Sequence, residues 1–121
     1  MTVLVIEPNR VMAQCIAKEL AKDNMSTVVV SSAEGALEYA AEHTPDAVIT
    51  EMSLPGHSGL EFIYEFRSYS EWQDIPLVIN TSVKIPGFIT QTFDWDLLNI
   101  TEYIYKPKRH ISDLRSAITL H

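Results

Sequence analysis

Five short apolar runs recur along the chain: VLVI (3–6), TVVV (27–30), AVIT (47–50), PLVIN (76–80) and EYIY (102–105). Each is rich in β-branched or aromatic residues and too short for a helix, so each predicts a strand. The runs are apolar without alternation, which predicts strands covered on both faces. Between them the period changes. Met12, Cys15, Ile16 and Leu20 recur at spacings of three and four, a helical stripe. Ser31 and Glu34 are spaced as a capping box and open a second helix with Ala33, Ala36, Leu37 and Ala40 inward, before Pro45 stops it. Leu60, Phe62, Ile63, Tyr64 and Phe66 mark a third helix, and Ile111, Leu114 and Ile118 a short last one. Strands alternating with helices predict an α/β fold with a parallel sheet. A length of 121 residues, without repeat or linker, predicts one domain over 1–121.

In such folds chemistry gathers beyond the carboxyl ends of the strands. Glu7 follows the first strand, Glu51 the third, Thr81 the fourth and Lys106 the fifth. Two acids, a hydroxyl and an amine therefore converge on one edge. The formal charge of −7 disfavours direct contact with nucleic acid or anionic lipid. The one basic cluster, Lys106, Lys108, Arg109 and His110, is short and reads as a solvated loop and helix start. No apolar stretch approaches the roughly 18 residues of a membrane span. The opening MTVLVIEPNR has neither a basic region ahead of its apolar run nor a small-residue cleavage site, so a cytoplasmic chain is expected. The single cysteine, Cys15, fits a reducing compartment.

Several motifs are absent. No glycine-rich phosphate loop occurs, and the first strand-to-helix loop, EPNRV, contains no glycine. Gly56-His57-Ser58-Gly59 lacks the residue a nucleophile elbow needs between Ser and Gly, and reads as a turn with Ser58 or Gly59 near a helix cap. Histidines at 43, 57, 110 and 121 have no paired spacing for zinc.

Taken in order, VLVIEPNR, VVVSSAEGALEYA, DAVITEMSLPGHSGLEFI, IPLVINTS and EYIYKP resemble the successive strand ends of a response-regulator receiver domain of two-component signalling. The resemblance covers nearly the whole chain. It implies a flavodoxin-like, doubly wound five-stranded parallel sheet in the order 2-1-3-4-5, with helices on both faces. In that family an aspartate ends the third strand and accepts a phosphoryl group. Two acids after the first strand help hold magnesium, and a hydroxyl and a lysine engage the phosphoryl oxygens. Carried onto this sequence, the phosphoacceptor position is Glu51, the acidic pair Glu7 and Pro8, the switch hydroxyl Thr81, the lysine Lys106 and the switch aromatic Tyr103.

The departures bear on function. Pro8 has no side-chain oxygen for magnesium, which wants near-ideal octahedral oxygen geometry. Glu51 reaches about 1.5 Å further than aspartate, one C–C bond. That length can carry its carboxylate to Lys106 or Thr81 without any phosphate, a standing partial imitation of the phosphorylated state. The expectation is a degenerate receiver, a pseudo-receiver that is not an enzyme. It needs no cofactor and works through protein contacts with a sensor kinase, an output domain or a second copy. The alternative is an active phosphoacceptor domain using Glu51 and Mg2+. A third reading, a flavodoxin-like binder of a small ligand, is weakened by the missing phosphate loop and would be revived by an empty apolar crevice.

The family's regular helix after the fourth strand is replaced by SVKIPGFITQTFDWDLLNI (82–100). Pro86 and Gly87 oppose an early helix start, so an irregular fourth helix is expected. Asn99-Ile100 stands where the family has Gly-Ala. The segment carries Phe88, Phe93 and Trp95, more apolar area than a shortened helix can bury, which marks it as the expected partner surface.

Overall fold

The apolar runs become five parallel strands in a computed structural model, which describes residues 1–56, 58–82, 98–106 and 111–119. In chain order the elements are β1 (Thr2–Ile6), α1 (Arg10–Ala21), β2 (Ser26–Val30), α2 (Ala33–Glu42), β3 (Ala47–Thr50), α3 (Gly59–Ser68), β4 (Leu77–Thr81), β5 (Glu102–Tyr105) and α4 (Ser112–Thr119). The sheet order is β2-β1-β3-β4-β5, the doubly wound flavodoxin-like arrangement.

Successive side chains of a strand leave opposite faces, so each central strand feeds two cores. Leu4, Ile6, Val48, Leu77 and Ile79 face α2 and α3, where they meet Ala36, Ala40, Phe62 and Phe66. Val3, Val5, Ile49, Val78 and Ile104 face α1 and α4, where they meet Ile16, Leu20, Leu114 and Ile118. That double burial is why β1, β3 and β4 read as unbroken apolar runs. β2 departs from the expectation. It is the edge strand of the sheet, and Val29 is 45% exposed.

Local chemistry sets the helix starts. The Asn9 side chain accepts from Met12 N (3.0 Å) and caps α1, and the Ser58 hydroxyl accepts from Glu61 N (3.1 Å) and caps α3. α2 begins one residue later than its spacing suggested. Ser32, not Ser31, is the cap, and it accepts from Gly35 N (3.1 Å). Cys15, expected in the buried stripe of α1, is exposed; Ile16 and Leu20 are buried as expected, and Ala13 joins them on the inward face. Asn99 adopts a left-handed φ of 50°, a conformation glycine takes most easily and asparagine next. The irregular helix expected after β4, with Phe88, Phe93 and Trp95, lies outside the described residues.

Candidate functional site

In-register parallel pairing brings the strand ends level. Ile6 pairs with Thr50, Thr50 with Ile79, and Thr81 with Tyr105, so the residues just beyond them share one edge. There the structure brings together Glu7, Glu51, Thr81 and Lys106. Glu7 and Glu51 are each 5% exposed and Thr81 is fully buried.

The four form one network. The Lys106 ammonium donates to Glu51 Oε2 and to Glu7 Oε1, both at 2.7 Å. The Thr81 hydroxyl donates to Glu51 Oε1. The same Oε1 accepts the backbone N–H groups of Met52 and Ser53, each at 3.1 Å, and Glu7 Oε2 accepts from Asn9 N at 3.1 Å. Every carboxylate oxygen thus has a donor, the condition under which buried charge is tolerated. Burial works against the Lys106 charge, but hydrogen bonds to Glu51 and Glu7 and the charges behind them outweigh it, so its pKa lies above the ordinary lysine value.

The other two positions are Pro8 and Tyr103. Pro8 is exposed at the start of the β1–α1 loop and offers no side-chain donor or acceptor. Tyr103 is half-buried on β5 opposite Ile79 and packs against the α2/α3 core. Among the described residues no group of three or more His, Cys, Asp or Glu is placed to hold a metal ion.

Sequence reasoning missed residues that position this site. Gly59 N donates to Met52 O at 2.7 Å, and a Cβ on Gly59 would stand 2.4 Å from Glu51 O. No real Cβ makes such a contact, so only glycine lets α3 start against the backbone that carries Glu51. The GHSG stretch held that signal, but it reads equally well as an ordinary turn. Arg67, at the end of α3, is buried and donates to the carbonyls of Leu98 (2.7 Å), Ile75 (2.7 Å), Asn99 (2.9 Å) and Trp72. It ties α3 to the loop leading into β5, the strand that delivers Lys106. Burial lowers its pKa, with Asp74 opposing.

Comparison with known proteins agrees with the fold. The sequence profile described as "Response regulator receiver domain" matches residues 3–119. The transcriptional regulatory protein KdpE of Mycobacterium tuberculosis is 27% identical over 119 residues, 96% of this chain and 50% of that protein. The chain therefore spans half the length of that relative. The polar-differentiation response regulator DivK of Brucella ovis is 27% identical over 86 residues, 71% of this chain and 70% of that protein. Among solved structures, the BeF3-activated N-terminal receiver domain of Klebsiella pneumoniae RstA superposes with a TM-score of 0.83 at 26% identity, covering 100% of this chain and 97% of that one. A sensor protein from Polaromonas sp. JS666 reaches 0.85 at 22% identity, over 98% of this chain and 93% of that one.

Proposed function

Because the chain belongs to the response-regulator receiver domains, a family of signalling modules rather than catalytic enzymes, we propose that it signals without being phosphorylated. The observation that carries this reading is the occupancy of the Glu51 carboxylate. Thr81 and Lys106, the hydroxyl and amine that would engage a phosphoryl group, are already bonded to it. Glu51 thereby stands where the phosphoryl oxygens of an activated aspartate would be, one methylene further out than an aspartate carboxylate.

The donor set does not fit magnesium. Glu7 and Glu51 are both engaged by Lys106, and Pro8 contributes no oxygen. In-line phosphoryl transfer relies on positioning and on neutralising charge, and neither is supplied here for a donor approaching Glu51. The output is then protein contact, in the cytoplasm, with a kinase, an output domain or a second copy. On sequence alone, Phe88, Phe93 and Trp95 supply the contact surface. Among the described residues no helix is long and apolar enough to cross a membrane.

Intact mass after incubation with acetyl phosphate and Mg2+ tests the reading. The wild type is expected to gain no phosphoryl group. A Pro8→Asp/Glu51→Asp variant, with the family's acids restored, is expected to gain one. A stoichiometric phosphoryl group on the wild type, absent from Glu51→Gln, would make this an active phosphoacceptor domain instead.

A further inference from the structure

We infer that the outer edge of β2 is a docking surface for a second copy of this chain, which pairs with it strand to strand, antiparallel about Val28. β2 ends the sheet, and among the described residues it pairs only with β1. Ser26 N donates to Met1 O (2.9 Å), and Val30 O accepts from Glu7 N (3.0 Å). A parallel ladder uses alternate residues, so Ser26, Val28 and Val30 turn their backbone groups toward β1. Thr27 and Val29 turn theirs to the outer side. Val29 is 45% exposed, and Ser26 and Ser31 are exposed on either side of it.

Edges of this kind are ordinarily guarded by charged side chains, proline or a bulge. STVVV has none of these, and its register with β1 runs unbroken from Ser26 to Val30. Residues 24–33 are the longest stretch of the chain without Asp, Glu, Lys or Arg. The edge is also reachable. Ala13 and Ala17 of α1, with their small side chains, line a groove of about 600 Å3 together with Val29 and Val30. The charged residues of that groove, Glu7 and Arg10, follow β1 and stand at the carboxyl end of the sheet, beyond Val29.

The occupant follows from symmetry and charge. Thr27 and Val29 flank Val28, so an antiparallel copy sets Thr27 of each chain opposite Val29 of the other. Residues opposed in this way exchange both backbone hydrogen bonds. Val28 of each chain then meets Val28 of the other, an apolar pair on the α2/α3 side. Such a two-fold contact closes on itself and uses up the edge that forms it. A partner steered by charge has nothing to follow along this strand, whereas two copies at −7 each meet closely only where neither presents charge. The contact does not depend on the Glu51 network, so its failure would leave the phosphorylation-independent reading standing.

Sedimentation equilibrium and amide hydrogen exchange over a series of protein concentrations, with no phosphodonor present, test the contact. A monomer–dimer equilibrium is expected that tightens as salt screens the repulsion between copies. As concentration rises, the Thr27 and Val29 amides are expected to exchange at least threefold more slowly, while those of Val28 and Val30, already bonded to β1, change little. Val29→Lys, a charge placed on the exposed edge, is expected to weaken the dimer at least tenfold and to leave the thermal midpoint of the monomer unchanged. A monomer at every concentration up to about 1 mM, a dimer that leaves the Thr27 and Val29 amides unprotected, or one that Val29→Lys leaves equally tight would overturn the inference. A chain that stays monomeric while a synthetic peptide of residues 24–33 protects those two amides would also overturn it, assigning the edge to a different partner. The concentration series needs no variant, so the test stands even if Val29→Lys misfolds.

Discussion

Glu51 follows β3 with a carboxylate that reaches both Thr81 and Lys106, and Lys106 is the residue that responds to it. Two carboxylates share one ammonium, and all three groups are largely buried. Removing the ammonium leaves two neighbouring acids without a cation, which is far worse than never having had the pair. Lys106→Met is therefore expected to cost about 3–5 kcal/mol in urea unfolding at neutral pH. Adding Glu51→Gln to that variant should recover part of the loss, and the double-mutant cycle reads the coupling. The raised pKa of Lys106 fixes the sign of the pH dependence. A lysine whose folded value exceeds its unfolded one contributes stability that is complete below the unfolded value, about 10.4, and is lost as pH rises through the folded value. The wild-type advantage over Lys106→Met should thus stay level from neutral pH to about 10 and shrink above it. An advantage that instead shrank between pH 7 and 9 would show that the ammonium is not held as described.

The elements that hold this site are tied by contacts a linear pattern does not display. Gly59 lets α3 begin against the Glu51 carbonyl, so Gly59→Ala must push α3 away from β3. A cost of about 2 kcal/mol or more is expected, beyond the usual helix gain from alanine, with the amide resonances of Glu51 and Met52 moving most. Arg67 acts over a longer span. Arg67→Met would remove a donor from four carbonyls, and about 3 kcal/mol or more should be lost from the urea transition. Arg67→Lys should recover little, because a compact ammonium cannot reproduce the guanidinium fork. Strand and helix order was legible because period and composition act locally: VLVI and AVIT look like buried strands wherever they occur. Arg67 was not legible. An arginine in the last turn of a helix, one position past Phe66, reads as a solvent-facing charge that complements the helix dipole, and its partners lie up to 32 residues away. Cys15 misled for the opposite reason. Its spacing fits the stripe of α1, but the neighbouring Ala13 and Ile16 fill the inward face.

At the scale of the whole molecule, Glu7, Glu51, Thr81 and Lys106 fasten the ends of β1, β3, β4 and β5 to one another. That convergence was legible once the sheet order was known, since parallel strands in register must deliver their carboxyl ends together. The direction of each side chain and the sharing of Lys106 between two acids were not, because they depend on rotamers. A ligand or modification shifts a two-state molecule only by interacting differently with its two states. Acetyl phosphate has no such handle here if Thr81 and Lys106 are already engaged, so hydrogen exchange of the wild type with Mg2+ present should not change on adding it. Glu51→Gln removes the charge that holds Lys106 and weakens the Thr81 bond, so the fastening loosens from within. Amides over 77–82 and 102–106 are expected to exchange faster in Glu51→Gln, while those of β1 paired with β2 stay protected. Faster exchange confined to these two segments would place the switch at the β4 and β5 ends. Unchanged exchange in Glu51→Gln, together with a wild-type response to acetyl phosphate, would mean that Glu51 fills the site without controlling it.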